Sequence, residues 1–505
     1  MSKTSLHMAP LVLFLLNPTI IFSLILLLLL ARLFLSNLKG SSQRMPPGPT
    51  PLPIIGNLHL INIKRQDVSF MKLSKTYGPV FTLHFGLEKV VVLVGYEAVK
   101  EALLSKGNEF IDRPVIPIFS RIQHGNGLFF SVGELWKHTR RFTLTTVRDL
   151  GMGTSLIEGK MLEELNFLVE KISSFEGRPF SLKTFSVAPT NITFIILFGN
   201  RFDYSDPTFI TLLRLIDEVM ALLGAPSLQL FNVYPFLGPL LNPHKMILKR
   251  IEETNVILRK YIQASKETLS GNQLQSYIDS LLFKQEEEKN GKKDIFHSTN
   301  IISSVLDLVM AGTETTATTL QWAFLLMMKY PEIQRKVQEE IQSVLGSERL
   351  PVYEDRKRMP FTNATIHEVQ RFASVVPQFP RCTSVDTHFQ GYFIPKGTAV
   401  IPSLTSSLYD ETQWETPYRF NPNHFLDAEG NFVKKEAFMP FSIGRRNCLG
   451  EGLARMELFL FVVGVLQRFT FRPPPGRNEV DLELTTEPAF TRRPQRYSTC
   501  AVPTF

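Results

Sequence analysis

Cys448 stands in the stretch FSIGRRNCLG, between Gly444 and Gly450 and two residues after Arg446. A thiolate is a nucleophile or a metal ligand, and its neighbours decide which. Zinc would need further Cys or His at short spacing, yet the nearest histidine, His424, is 24 residues away. A nucleophile would need a histidine base, which sequence alone leaves open. A third chemistry follows from the glycines, which let the backbone turn tightly and approach a flat object closely. The segment GEGLARMELFLFVVGVLQRF predicts a helix beginning just past Cys448, where negative charge is favoured. N–H groups following Cys448 could hold its sulfur as thiolate, and Arg446 could meet the anionic edge of a ligand. That is the pattern of one protein thiolate on a large planar metal cofactor, to be weighed against a plain loop cysteine with incidental glycines.

Three other groupings carry chemistry. In AGTETT, Ala311 to Thr316, small residues precede a carboxylate, Glu314, and clustered threonines. A threonine inside a helix can bond its own i−4 carbonyl, which loosens the ladder and opens space for water. Three threonines in one turn are poor helix formers, so ordinary packing explains them badly. In WKHTRR, Trp136 and Arg140 lie i, i+4 on one helix face. In EVQR, Glu368 and Arg371 have ion-pair spacing, usually a surface pair of little value.

The elements that must position these groups are mostly helical. Apolar periodicity predicts helices over Leu162–Ser173, Phe209–Leu223, Pro243–Ser270, Asn300–Lys329 and Pro331–Leu345. Strands are expected at Val80–Phe85 and Val90–Val94 around a Gly86 turn, near Thr387–Ile394 and Thr398–Pro402, and in the last forty residues. The fold class is therefore mainly α, with a minor β part near both chain ends. The run Lys284–Asp294 reads as a solvated surface loop. The apolar, proline-broken segment Ala225–Pro243 fits equally a buried loop and a surface patch that dips into a membrane.

Three cysteines among 505 residues cannot form a disulfide framework and fit a reducing compartment. A net charge of +8 is mild, and no Lys/Arg stripe interleaves with aromatics, which argues against nucleic acid. Met8 to Ala31 carries no charge and is long enough to cross a hydrocarbon core of roughly 30 Å. No small-residue cleavage site follows it, so an uncleaved anchor is expected. Arg32, Lys39 and Arg44 behind it favour a cytosolic body. The expected organisation is an anchor at 1–35, a basic and proline-rich hinge at 36–57, and a catalytic domain at 58–505. The sequons at Asn191 and Asn363 each lie in an apolar or helical-looking stretch and are expected to be unused.

These stretches together resemble the cytochrome P-450 superfamily. Phe441, Gly444, Arg446, Cys448 and Gly450 fit its Phe-x-x-Gly-x-Arg-x-Cys-x-Gly signature at every defined position. The likeness runs through PPGPTPLPIIGN, WKHTRR, AGTETT, EVQR, PYRF and PKGT in order, and points to a microsomal drug-, fatty-acid- or steroid-oxidising branch. It implies a helix-rich triangular body with haem b between the long central helix and the cysteine-loop helix. It also implies that Cys448 is the axial thiolate of the iron, donating electron density that favours O–O cleavage. Trp136 and Arg140, with Arg113 and Arg381, would then serve the haem propionates. Ala311 and Gly312 would leave room for O2, Thr315 would hold water at the reacting oxygen, and Glu314 would relay protons. Glu368, Arg371 and Arg419 match a structural Glu-Arg-Arg network, although Tyr418 replaces a frequent Glu.

The same resemblance implies electrons from NADPH through a diflavin NADPH-cytochrome reductase, with cytochrome b5 as a further donor, docking on a basic face. Candidates for that face are Lys137, Arg141, Lys434, Lys435 and Arg445. It places the protein at the endoplasmic reticulum membrane, in contact with membrane lipid. Substrate would meet the loop Ile116–Phe130, the helix Leu212–Leu223, Val309 and Ala311, Val375–Phe379 and Ala489–Phe490. Phe119, Phe129, Val376, Phe379 and Phe490 make such a pocket apolar, suited to lipophilic small molecules. Arg121 is a candidate anchor for an acid. Monooxygenation is one reading, peroxide rearrangement without a reductase a second, and a non-enzymatic haem sensor or carrier a third. The Glu314–Thr315 pair favours the first.

Overall fold

The computed structural model describes residues 18–38, 45–151, 153–240, 243–269, 274–289 and 294–504. Helix occupies 56% of the chain, well above the usual third or so. The frame is a central helix, Ser298–Lys329, 32 residues long and buried along most of its length. It packs against Val187–Phe198, Pro360–Ala373 and the cysteine helix Glu451–Arg468. Its threonine-rich middle is held by this packing rather than by helix propensity.

Four strands form the larger sheet. Val80–Phe85 pairs antiparallel with Glu88–Leu93, Val80 opposite Leu93, around a turn at Gly86 whose φ is +63°. Glu88–Leu93 runs parallel to Ala399–Pro402, which pairs antiparallel with Arg381–Cys382. A second sheet joins Phe180–Ser181, Ser498–Pro503 and Phe469–Arg472. The short pair Thr486–Glu487 and Arg493–Pro494 carries the turn with Phe490. Most of the minor β part lies where the sequence predicts it, while Phe180–Ser181 and Arg381–Cys382 are strands the sequence reading does not contain.

The proline-rich connector carries no regular structure over 45–51 but turns back over Leu52–Gly56, a departure from the extended expectation, and it is docked rather than free. Thr82 donates to the carbonyls of Pro46 and Pro47, and Asn57 and His84 exchange hydrogen bonds. A Cβ on Gly48 would lie 1.9 Å from the Thr82 carbonyl oxygen, so only glycine allows this approach. The helix Pro18–Leu38 takes up the later part of the expected anchor. Residues 8–17 and the basic positions Lys39 and Arg44 lie outside the described residues. Among the described residues no helix is long and apolar enough to cross a membrane.

Three expected loops are partly helical. Pro117–Gln123, Pro226–Val233 and Tyr277–Lys289 are helices, the first two starting on a proline that the first helical turn tolerates. Tyr277–Lys289 takes up the first half of the charge run, whose residues 290–293 are outside the described set. Asn191 is fully buried and donates to Glu164 and the Phe202 carbonyl, which leaves that sequon unavailable.

Candidate functional site

A cavity lies between the central helix and the cysteine loop, and Cys448, Phe441, Ala311 and Thr315 all line it. The loop closes on itself: the Cys448 N–H donates to the Phe441 carbonyl at 2.9 Å, and Asn447 N–H to Gly444 at 3.1 Å. Gly444 has φ +78°, and a Cβ there would meet the Leu103 carbonyl oxygen at 2.0 Å. Its close approach is therefore to protein backbone, a correction to the flat-ligand reading of that glycine. Gly450 has open space where a Cβ would point and lines the cavity. Its N–H is hydrogen-bonded to the Cys448 sulfur, just ahead of the helix at Glu451, as the sequence predicts.

Cys448 is exposed, and what it is exposed to is the cavity, since protein surrounds it. Burial pushes its thiol up to about 11, against the Gly450 N–H and Arg140, so a thiolate here needs a cation to hold it. A cluster of guanidiniums borders the same cavity: Arg113, Arg140, Arg381 and Arg446. Burial, then mutual repulsion, holds Arg113 well below the usual range and lowers Arg381 and Arg446 to about 9. Arg140 donates to the Asn447 carbonyl and side chain, Arg113 to Phe129 and Pro380, and Arg446 to Ile111 and Ser131. Arg446 also lies 3.8 Å above the Trp136 ring.

Buried donors are left over. Trp136 Nε1, Arg381 Nη1 and Arg446 Nη1 have no protein partner. Orphaned buried donors are rare because each costs about 1–3 kcal/mol. An apolar cavity with one thiol, three orphaned donors and a crowd of guanidiniums suits a planar group bearing a soft metal and two carboxylates. The residues present fit haem.

The central helix departs from the sequence reading at three points. Thr315 donates to the Ala311 carbonyl at 2.9 Å, the expected back-bond. Gly312 lines the cavity but also makes room for Thr193: a Cβ would sit 2.3 Å from the Thr193 hydroxyl. Glu314 is not free. Both its oxygens accept from Arg493, at 2.7 and 2.6 Å, and Oε1 also accepts from Thr491 at 2.5 Å and Thr318 at 3.3 Å. Val309 is buried in the main core and does not line the cavity, because the face formed by Leu308, Ala311 and Thr315 points there instead.

Phe129, Val376, Phe379 and Phe490 line the cavity as expected. Phe119 stands one layer behind, stacked on Phe130 at 4.2 Å and edge-on to Phe490 at 6.2 Å. Of the helix Pro207–Leu223, Met220 reaches the cavity. Arg121 is exposed and lies 4.9 Å over Phe231, so it does not anchor a ligand in this cavity. Asp307 fixes the loop that carries Phe129, accepting from the Leu128 and Phe129 N–H groups and from Gln123.

Beneath the cysteine loop, Arg371 and Glu368 are fully buried and joined by two bonds of 2.7 and 2.8 Å. Arg371 also donates to the carbonyls of Leu408, Pro417 and Arg419. The Arg419 side chain itself is exposed, so the expected third member contributes only its carbonyl. The third side chain is His424, 3.1 Å from Glu368. No spacing signal marked it, since 56 residues separate the two.

Glu457, on the cysteine helix, was not foreseen either. It lines the cavity, is buried, and accepts from Thr316 at 3.0 Å. Burial pushes its carboxyl from 4.5 up to about 8. The folded protein then holds a proton that the unfolded chain has lost, so this contribution is full below pH 4.5 and disappears as pH rises through 8. The Tm advantage of wild type over Glu457→Gln should therefore shrink steadily between those two values. A pH-independent difference would show the carboxyl to be ionised throughout.

The chain matches the family model described as Cytochrome P450 over residues 46–501. It is 53% identical to Cytochrome P450 2W1 of Homo sapiens over 463 residues, 92% of this chain and 94% of that one. Cytochrome P450 2K1 of Oncorhynchus mykiss is 47% identical over 482 residues, 94% and 95% of the two chains. Cytochrome P450 2C3 of Oryctolagus cuniculus is 44% identical over 463 residues, 91% and 94%.

Proposed function

Because the chain belongs to the cytochrome P450 family, and is thereby a haem-thiolate monooxygenase, we propose that it oxidises lipophilic, weakly polar small molecules such as fatty acids, steroids or xenobiotics. The supporting observation is the cavity itself, floored by Cys448 and walled by Phe129, Phe379, Met220 and Phe490, with Thr315 and Ala311 at its side. Unpaired polar groups would be costly to bury against such walls.

In this reading Cys448 is the sole metal ligand from the protein. Arg113, Arg140, Arg381, Arg446 and Trp136 bind the two carboxylates, whose charge offsets their mutual repulsion. Haem held there supplies the binding and activation of O2. Ala311 keeps bulk away from the reacting position, and the phenylalanines exclude water and orient the substrate. Thr315 holds a proton or a water at its Oγ1, with Glu314 standing behind it as the acid that replenishes the proton.

Electrons come from NADPH through a diflavin reductase, with cytochrome b5 as a further donor. Lys137 and Arg141 are exposed on the helix that Arg140 ties to the cysteine loop, and Arg445 is exposed in the loop. Lys434 is exposed and Lys435 partly so. A basic face there suits an acidic partner. The protein sits on the endoplasmic reticulum membrane with its catalytic body on the cytosolic side. In support, Phe236 and Leu240 are 75% and 79% exposed, and Tyr234 of the same segment donates to the carbonyl of Ile54, itself 59% exposed in the connector. That contiguous apolar surface favours the membrane-facing reading of Ala225–Pro243.

Replacing the hydroxyl tests the assignment of Thr315. Thr315→Ala should bind haem and substrate normally but consume NADPH with little product, lowering coupling by about 10-fold or more. Full coupling in that variant would remove Thr315 from the proton path.

A further inference from the structure

Three helices meet around one ring. Phe231, on Pro226–Val233, is fully buried. It stacks on His244 of Pro243–Thr268 at 4.5 Å and carries the Arg121 guanidinium of Pro117–Gln123 at 4.9 Å. The Ile118 N–H of that last helix also donates to the Asn232 side chain at 3.2 Å. Arg121 is exposed, yet the ring contact fixes where its charge stands.

That charge stands beside the exposed apolar surface. A Cβ on Gly238 would lie 3.2 Å from the Phe231 ring, so the loop bearing Phe236 and Leu240 adjoins it. The hairpin turn adjoins the same segment: a Cβ on Gly86 would lie 2.8 Å from Val233, and Leu87 next to it is exposed. No acid balances the cations here, since residues 113–133 and 225–251 contain neither Asp nor Glu. Arg250 reaches out to pair with Glu218 and Glu253, but Arg121, Lys245 and Lys249 have no carboxylate partner among the described residues. Both lysines are exposed, about one helical turn apart, and Met246 beside them is half exposed.

We propose that Arg121, with Lys245 and Lys249, is a docking site for the phosphates of anionic membrane lipid, and that its occupancy steadies the aromatic wall of the cavity. A cationic rim on an apolar patch suits an anionic membrane interface, with apolar side chains below the phosphates and cations among them. A free phosphate would meet the cations and leave the apolar surface in water, so a bilayer fits better. The site rests on the membrane-facing reading of Ala225–Pro243.

The coupling to the cavity runs through the helix of Arg121. Its Phe119 stacks on Phe130 at 4.2 Å and stands edge-on to Phe490, and Phe130 tilts against Phe379 at 5.7 Å. Phe379 and Phe490 line the cavity. A phosphate that holds Arg121 therefore holds the backing of two cavity walls. By linkage, a ligand that needs those walls in place and a lipid that holds them favour each other.

The test uses the full-length holoenzyme in vesicles of phosphatidylcholine, alone or with phosphatidylserine admixed. Clotrimazole probes the cavity: it is neutral, so lipid charge does not concentrate it, and its azole nitrogen ligates haem iron and shifts the absorption. Its Kd should be at least about 5-fold lower with phosphatidylserine, the low end of usual coupling between sites, and salt should shrink the difference. Arg121→Gln should lose the difference while keeping the wild-type Kd in phosphatidylcholine alone, and Arg121→Lys should keep most of it. The double variant Lys245→Gln, Lys249→Gln should lose part of it. Equal Kd values for wild type in the two lipids, or a full difference in Arg121→Gln, overturn the site. The same gain from inorganic phosphate added to phosphatidylcholine vesicles also overturns it, in favour of a free-anion site. The underlying reading is checked separately, by quenching of Phe236→Trp fluorescence with brominated acyl chains. No quenching in either lipid overturns the membrane-facing reading, whereas quenching with an unchanged clotrimazole Kd overturns the lipid site alone.

Discussion

Cys448→Ala should abolish the haem-thiolate absorption of the reduced, carbon monoxide-bound protein and lower turnover by about 10³-fold or more, the scale seen when a group the chemistry runs through is removed. The expectation rests on position. Cys448 is the one cysteine that lines the cavity, and its sulfur receives the Gly450 N–H. Cys382 and Cys500 are buried elsewhere, and no cluster of three or more His, Cys, Asp or Glu suited to a metal exists among the described residues. Among the described residues no histidine and no other cysteine lines the cavity, so no second thiolate or imidazole is placed to take over. The fold should survive, because the loop's backbone-to-backbone bonds and its arginine contacts do not involve the sulfur. A thiolate spectrum retained by Cys448→Ala would move the ligand to another residue.

Arg371→Ala should be the most damaging substitution outside the cavity. It strands Glu368, which is fully buried, and orphans three backbone carbonyls at once. Breaking a buried ion pair from one side costs about 3–5 kcal/mol, because the remaining charge has nowhere to go. The carbonyls of Pro417 and Arg419 lie in the segment leading to the cysteine loop, so haem retention should fall together with Tm. Arg419→Ala should do almost nothing, since only its carbonyl takes part and its side chain is exposed. Thermal unfolding of the two variants side by side checks this. Equal losses would restore Arg419 to the network and remove the weight placed on His424.

The two substitutions also mark what was legible in the sequence. The cysteine loop could be read because its determinants sit within ten residues, and glycine and cysteine are informative at short range. Helix existence followed from period, and the long central helix was placed to within two residues of its start. The helices opening on proline, Pro117–Gln123 and Pro226–Val233, read as loops in the sequence, since proline reads as a breaker unless its place in the first turn is known. Val187–Phe198 gave no period because nearly every residue is buried. Val309 was misplaced by one position of helical rotation.

Partners distant in the chain were invisible. Glu314 and Arg493 are 179 residues apart, and nothing near either residue announces the other. The family resemblance supplied a role for Glu314 but not the guanidinium that restrains it. His424 displaced Arg419 for the same reason: the third member of a network is chosen by tertiary packing, not by spacing.

The most direct measurement is the fate of oxygen. Full-length protein with reductase and NADPH would be incubated under isotopically labelled O2 with pooled fatty acids, steroids and drug-like aromatics, and products read by mass spectrometry. A single labelled oxygen atom in a product, dependent on NADPH and lost in Cys448→Ala, is the predicted result. Product formed from an added organic peroxide without NADPH, carrying no label from O2, would contradict monooxygenation and assign the protein to peroxide rearrangement.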